Sequence, residues 1–97
     1  MDAAKSRTAF VSKGVYETQR VEHAFMEVEA AVALPDGEGI KLYSQSLGIY
    51  DDRIQVAKIL GLPLEQVRVI LVANGGGFGG KETQAAQWAV IAAVMAS

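Results

Sequence analysis

The stretch "VANGGGFGGKETQ", residues 72–84, sets a glycine block, a lysine and a glutamate between an apolar run and a helix-forming segment. Five of the chain's 10 glycines fall between Gly75 and Gly80. Each glycine fixed in ordered backbone gives up roughly 0.5–1 kcal/mol relative to alanine. The block therefore implies a turn at angles that side chains forbid, or a backbone that comes very close to a ligand or to another protein segment. Consecutive backbone donors opening a helix favour an anion or an oxo group. Glu82, beside such a cradle and read as part of the helix's first turn, can orient a polar substrate, exchange a proton, or simply favour the helix N-terminus.

Two motif spacings fit the block. Gly75, Gly77 and Gly80 match the G-x-G-x-x-G of a dinucleotide-binding turn, although in so dense a block the match is weak, and the acidic residue wanted about 20 positions later would fall beyond Ser97. Gly75 to Lys81 match the G-x-x-x-x-G-K that opens a phosphate-binding loop. There Glu82 stands where a Ser or Thr would ligate Mg²⁺, and Thr83 comes one residue late. A ligand cradle, including a small nucleotide-phosphate-binding module, and a close-packed turn both stay open on spacing alone.

The other reactive residues carry weaker signals. His23 and Glu27 would face one another at i, i+4 on a helix and could hold a metal, yet with one histidine and no cysteine a hydrogen-bonded structural histidine is the simpler reading. Asp51 and Asp52 are adjacent, so on a helix they point about 100° apart and read as a charged first turn rather than an acid/base pair. Ser44 and Ser46 have no evident histidine or acid to activate them, so nucleophilic catalysis has no support. Phe78 either stacks on a ligand or pins the loop to the core, and the residues alone favour pinning. Trp88 reads as core.

The elements that would position these residues follow from periodicity. Residues 15–21, "VYETQRV", predict an exposed or edge strand. "AAVAL", "PDGEG" and "IKLYSQS" predict strand, turn and strand. "GIYDDRIQVAKILG" predicts a helix with Tyr50, Ile54, Ala57 and Leu60 on its apolar face, Lys58 in its last turn, and Gly61 and Pro63 as its stop. Residues 67–73, "VRVILVA", predict a strand buried on both faces. A helix follows from about Thr83. The fold class expected is α+β: a mixed sheet with a strand-helix-strand crossover, a Gly-rich loop and a C-terminal apolar helix.

That last helix is apolar nearly all the way round from Trp88 to Ala96, and such helices belong inside large proteins. It also meets Ser97 with no Gly or Pro stop. The expectation is a piece of a larger polypeptide, or a chain that forms a homo-oligomer or a non-catalytic partner contact through the 83–96 helix. Nine Lys+Arg against 11 Asp+Glu, a net charge of -2, give no electrostatic case for nucleic acid or an anionic membrane. Without cysteine the 97 residues hold no disulfide, thiolate zinc site or iron–sulfur ligand of their own. A reducing compartment fits, "MDAAKSRTAF" lacks the basic start and apolar core of an export signal, and the location expected is cytoplasmic. The apolar run from Trp88 to Ala96 is well short of the roughly 20 residues of a membrane span.

Taken in order and spacing, "EHAFMEVE" at 22–29, "YSQS" at 43–46 and "GGGFGGKE" at 75–82 resemble the molybdenum-cofactor-binding subunit of the xanthine dehydrogenase/aldehyde oxidase family. The resemblance runs from about Val15 to the end, which makes 15–97 part of a molybdopterin-binding domain and 1–14 an irregular N-terminal extension. It implies that Gln45 hydrogen-bonds the apical oxo ligand of molybdenum, that Gly77, Phe78 and Gly79 bring their backbone to the metal's ligands and the pterin, and that Glu82 orients the heterocycle in purine-oxidising members. Val28 departs from the family, which commonly has proline there; the departure loosens a turn and leaves the cofactor positions untouched. The implied reaction is hydroxylation of an aldehyde or aromatic heterocycle with water-derived oxygen. Its base is a glutamate near the far end of the subunit, and electrons leave through iron–sulfur clusters, with FAD as a further candidate, in other domains or subunits. The implied partners are the remainder of the molybdenum subunit and the electron-transfer subunits. No catalytic residue and no direct metal ligand falls in this segment, and no cofactor is expected on the isolated chain. The purified 97-residue chain is accordingly expected to turn over neither an aldehyde nor a purine, and measurable hydroxylation of either would refute the assignment.

Overall fold

The computed structural model describes residues 7–97. Alternating small and large apolar residues form strand β1 (Ala31–Asp36), which turns at Gly37, φ 64°, into strand β2 (Gly39–Ser44). The two pair antiparallel with Val32 opposite Tyr43 and Leu34 opposite Lys41. Pro35, which has no N–H to give a ladder, is tolerated because β1 lies at the sheet edge. Along β2 the side chains alternate: Ile40, Leu42 and Ser44 are buried, while Lys41 and Tyr43 face the other way and are half-buried.

Helix α1 (Ile49–Leu60) carries the chain back to strand β3 (Val67–Leu71), which pairs parallel with β2 from Ile40 opposite Val67 to Ser44 opposite Leu71. The sheet order is β1-β2-β3. Asp51 and Asp52 in the first turn of α1 and Lys58 in the last complement the helix dipole. Gly61 takes the left-handed conformation, φ 66°, and the Leu62 N–H returns to the Ala57 carbonyl at 3.0 Å, as a Schellman-type ending requires. The Arg53 side chain reaches the carbonyls of Leu64 and Val67, at 2.6 and 2.8 Å, tying α1 to the start of β3. Helix α2 (Ala85–Ala96) then packs across β1, β2 and α1. One core results, built from Ile40, Leu42, Val56, Ala57, Val67, Ala89 and Ala93. This is the expected α+β architecture with its mixed sheet and crossover.

Four details differ from the sequence-based expectation. Residues 15–21 form no strand: Val15 is 99% exposed, and residues 7–30 run as an arm without a partner strand. The radius of gyration, 20.1 Å, exceeds the roughly 13 Å of a compact domain of similar length for this reason. The buried face of α1 centres on Val56, Ala57 and Asp52, while Tyr50 and Ile54 are exposed. Apolar periodicity places an aspartate one turn before Val56 in solvent, and that rotates the expected face. Strand β3 is an edge strand with helices over one face only, so Leu71 is exposed and Val69 and Ile70 are half-buried. Helix α2 begins at Ala85 and buries a stripe of alanines, Ala85, Ala86, Ala89 and Ala93, leaving Trp88, Ile91, Val94 and Met95 exposed.

Among the described residues no helix is long and apolar enough to cross a membrane. Gly61 has open space where a Cβ would stand, so its requirement is one of backbone angle alone. Gly61→Ala is expected to lower stability by about 1–2 kcal/mol, read as a lower urea midpoint with an unchanged denaturant slope.

Candidate functional site

Strands β2 and β3 are parallel, so the loops that follow them leave the sheet at the same end, the usual position for ligands in such sheets. After β2 comes the turn Gln45–Gly48, and after β3 the long loop from Val72 to Gln84. Three hydrogen bonds hold the two together: Val72 N–H to the Ser44 carbonyl at 3.0 Å, Leu47 N–H to the Lys81 carbonyl at 2.8 Å, and Gln45 Nε2 to the Ala73 carbonyl at 2.9 Å. Because the last acceptor is a carbonyl, it fixes which way the Gln45 amide points. The Gln45 Oε1 atom is buried without a partner.

The glycine block solves two problems at once. Gly80 N–H donates to the Gly77 carbonyl at 2.7 Å, closing a turn whose central residues, Phe78 at φ 51° and Gly79 at φ 87°, are both left-handed, as in a type I′ turn. For the aromatic Phe78 that conformation costs of order 1–3 kcal/mol. Phe78 is 76% exposed, so it does not pin the loop to the core. Elsewhere the block admits protein: a Cβ on Gly75 would collide with the Glu27 carboxylate, and one on Gly80 would stand 2.9 Å from His23 and Phe25. A Cβ on Gly77 would press on Leu47 at 3.1 Å. Segment 23–27 is thus the surface that approaches the loop at Gly75 and Gly80.

Lys81 explains why that segment stays. Its side chain is 0% exposed, and its ammonium donates to the carbonyls of Glu27 and Asn74 and lies 4.4 Å from the centre of the Phe25 ring. A lysine fully buried with two of its three N–H groups on these carbonyls is not presented to a nucleotide phosphate, and the phosphate-loop reading loses its central residue. Glu27 accepts the Gly76 N–H at 3.3 Å. Hydrogen bonds from its own backbone N–H and that of Gly76 hold its carboxyl below the usual carboxylate range, with the Lys81 charge a smaller contribution.

The remaining candidates fall as follows. Residues 21–29 are not helical, so His23 and Glu27 lack the i, i+4 geometry for a shared metal, and no cluster of metal-ligating side chains exists among the described residues. His23 instead stacks on Phe25, ring centres 6.5 Å apart. Glu82 is exposed in the bends before α2 rather than in its first turn, at the same end of the sheet as Gln45. Trp88 is half exposed and not core; its indole N–H donates to Glu29 at 2.9 Å. Asp52, expected in a charged first turn facing solvent, is 0% exposed and accepts the Ser44 hydroxyl at 2.8 Å. An acid therefore does stand against Ser44. The i, i+4 relation of Asp52 to Val56 is the signal in the sequence that points to it. Burial pushes the Asp52 carboxyl above the ordinary range, and the hydrogen bond from the Ser44 hydroxyl, with the Ser46 hydroxyl nearby, pulls it part of the way back.

The family model of the molybdopterin cofactor-binding domain matches residues 1–97. A probable xanthine dehydrogenase subunit of Bacillus subtilis is 38% identical over 74% of the chain and 10% of its own length. The nicotinate dehydrogenase large molybdopterin subunit of Eubacterium barkeri is 39% identical over 84% of the chain and 19% of its own. The aldehyde oxidoreductase molybdenum-binding subunit of Escherichia coli O157:H7 is 39% identical over 82% and 11%. The chain thus spans between a tenth and a fifth of the length of these relatives.

Replacing Lys81 by Met leaves two carbonyls without a donor, each at about 1–3 kcal/mol. Lys81→Met is expected to release the arm, seen as faster trypsin cleavage after the exposed Arg20 than in the unaltered protein. For Asp52, the folded pKa lies above the unfolded one. Its contribution to stability is then complete below about pH 4 and is lost as pH rises through the raised value. From acid to neutral pH the denaturant midpoint of the unaltered protein should fall relative to that of Asp52→Asn.

Proposed function

Since this chain belongs to the family of molybdopterin cofactor-binding domains, which are parts of molybdenum hydroxylases, we propose that it presents Gln45 and the Gly77–Gly79 turn to the cofactor of an enzyme that hydroxylates aldehydes or N-heterocycles. The observation that carries this reading is the set of donors left uncommitted. Gly76 N–H is engaged by Glu27 and Gly80 N–H by Gly77, whereas the N–H groups of Gly77, Phe78 and Gly79 make no hydrogen bond among the described residues. Gln45 Nε2 has two N–H groups, of which one is held by Ala73. These donors suit a group rich in oxo and pterin acceptors, and the close turn leaves no side chain but Phe78 in the way.

When bound, the molybdenum cofactor supplies the two-electron oxidation of a substrate carbon, with oxygen drawn from water. In this reading Gln45 donates its free N–H to an oxo acceptor and, held at its other N–H by Ala73, cannot rotate away. The backbone N–H groups of Gly77, Phe78 and Gly79 would bind the cofactor's acceptors. Glu82, exposed beside the loop, orients the substrate heterocycle. The remainder of the molybdenum subunit covers the exposed side of α2, and electron-transfer subunits with iron–sulfur clusters complete the enzyme.

The test uses the full-length subunit that carries this segment. Gln45→Ala is expected to lower kcat by about 10²–10³-fold, the usual effect of removing one preorganised donor, with molybdenum content retained. Glu82→Ala should raise KM for a purine-type substrate more than for an aldehyde. Unchanged turnover in Gln45→Ala contradicts the proposal.

A further inference from the structure

Asp52 is a buried acid that the mechanism above does not use, and stability does not account for it. It sits on the core face of α1 one turn from Val56, fully buried, with its Oδ1 atom unpartnered. Burying a carboxyl with half its acceptors unsatisfied is costly, and an apolar residue of similar size at such a site is often neutral or stabilising. The residue therefore needs another reason.

The hydrogen bonds around it form a closed ring. The Ser44 hydroxyl donates to Asp52 at 2.8 Å and accepts the Ser46 N–H at 3.2 Å. The Ser46 hydroxyl accepts the Gly48 N–H at 2.9 Å, and the Gly48 carbonyl accepts the Asp52 N–H at 3.0 Å. Ser44, Ser46 and Asp52 are all fully buried. Gln45 is the residue that this ring encloses, and its side chain leaves the ring to meet Ala73. Without the Asp52 acceptor the Ser44 hydroxyl must turn elsewhere, and the contact that sets the backbone on both sides of Gln45 is lost.

We infer that Asp52 is a positioning residue that fixes the Ser44–Ser46 turn, and through it the direction of the Gln45 amide toward the cofactor. The inference rests on the proposed role of Gln45. Positions two shells from a metal commonly change activity by about 10–100-fold when altered, because a donor misplaced by a fraction of an ångström loses its bond.

The experiment compares Asp52→Ala, Asp52→Asn, Ser44→Ala, Gln45→Ala and the Asp52→Ala/Gln45→Ala double variant in the full-length subunit. Molybdenum content, kcat, KM and the molybdenum EPR signal of the partly reduced enzyme are measured for each. Asp52→Ala is expected to lower kcat by about 10–100-fold with KM little changed, and to shift the EPR signal in the same sense as Gln45→Ala. Asp52→Asn, which keeps an acceptor for Ser44, should restore kcat to within a few-fold. In the Gln45→Ala background Asp52→Ala should add no further loss, since it acts through the side chain already removed. Ser44→Ala keeps the Asp52 carboxyl but removes both the hydroxyl that donates to it and the acceptor of the Ser46 N–H, and it serves if Asp52→Ala does not accumulate folded. An impaired Gln45→Ala beside an Asp52→Ala, or a Ser44→Ala in its place, with unaltered kcat and signal overturns the positioning role alone. Losses that multiply in the double variant do the same. An unimpaired Gln45→Ala means that the reading of Gln45 is wrong, and the inference falls with it.

Discussion

The burial of the Lys81 ammonium is the constraint on which the loop end of this structure depends. A charge removed from water must be hydrogen-bonded in place, and its acceptors come from two segments far apart in sequence, Glu27 in the arm and Asn74 in the loop. Those segments can meet around it only if the loop has no side chains in the path, which is why Gly75 and Gly80 lie against Glu27, His23 and Phe25. The Lys81 carbonyl in turn holds Leu47. One residue thereby couples the arm, the glycine loop and the turn that carries Gln45.

This arrangement divides the glycine block by function. Its outer members admit protein, and its middle, Gly77 to Gly79, keeps its donors free in a turn strained at Phe78. A phosphate loop would use its lysine as a ligand. Here the lysine is structural, and the free donors are backbone and amide N–H groups, which suit oxo and pterin acceptors better than the concentrated charge of a triphosphate. Glu82, which would repel phosphates, is compatible with a heterocyclic substrate.

The hairpin and α1 are legible in the sequence because their signals are local: the alternation along Ile40 to Ser44, the acidic first turn, and Gly61 at the helix end. The "VYETQRV" stretch has the same local character as a strand but no partner, and pairing is a tertiary fact that alternation cannot supply. The burial of Asp52 and Lys81 is illegible for a related reason, since polar residues read as solvent-facing unless their acceptors are known, and those of Lys81 are 54 and 7 residues away. The match of three separated motifs to the molybdenum hydroxylases is legible, and it outweighs the glycine spacing, which matches only parts of two other motifs. The chain matches a tenth to a fifth of its relatives' length, and in the proposed reading the rest of a larger protein would cover the exposed apolar side of α2 and the extended arm.

The central claim is that this chain serves a molybdenum cofactor within a larger polypeptide. It is tested most directly by capturing the native protein from its source cells with an antibody raised against these residues, then measuring its mass and its molybdenum. The account predicts a polypeptide several times larger than 10.3 kDa that carries molybdenum in near-stoichiometric amount. A metal-free polypeptide near that mass would contradict it.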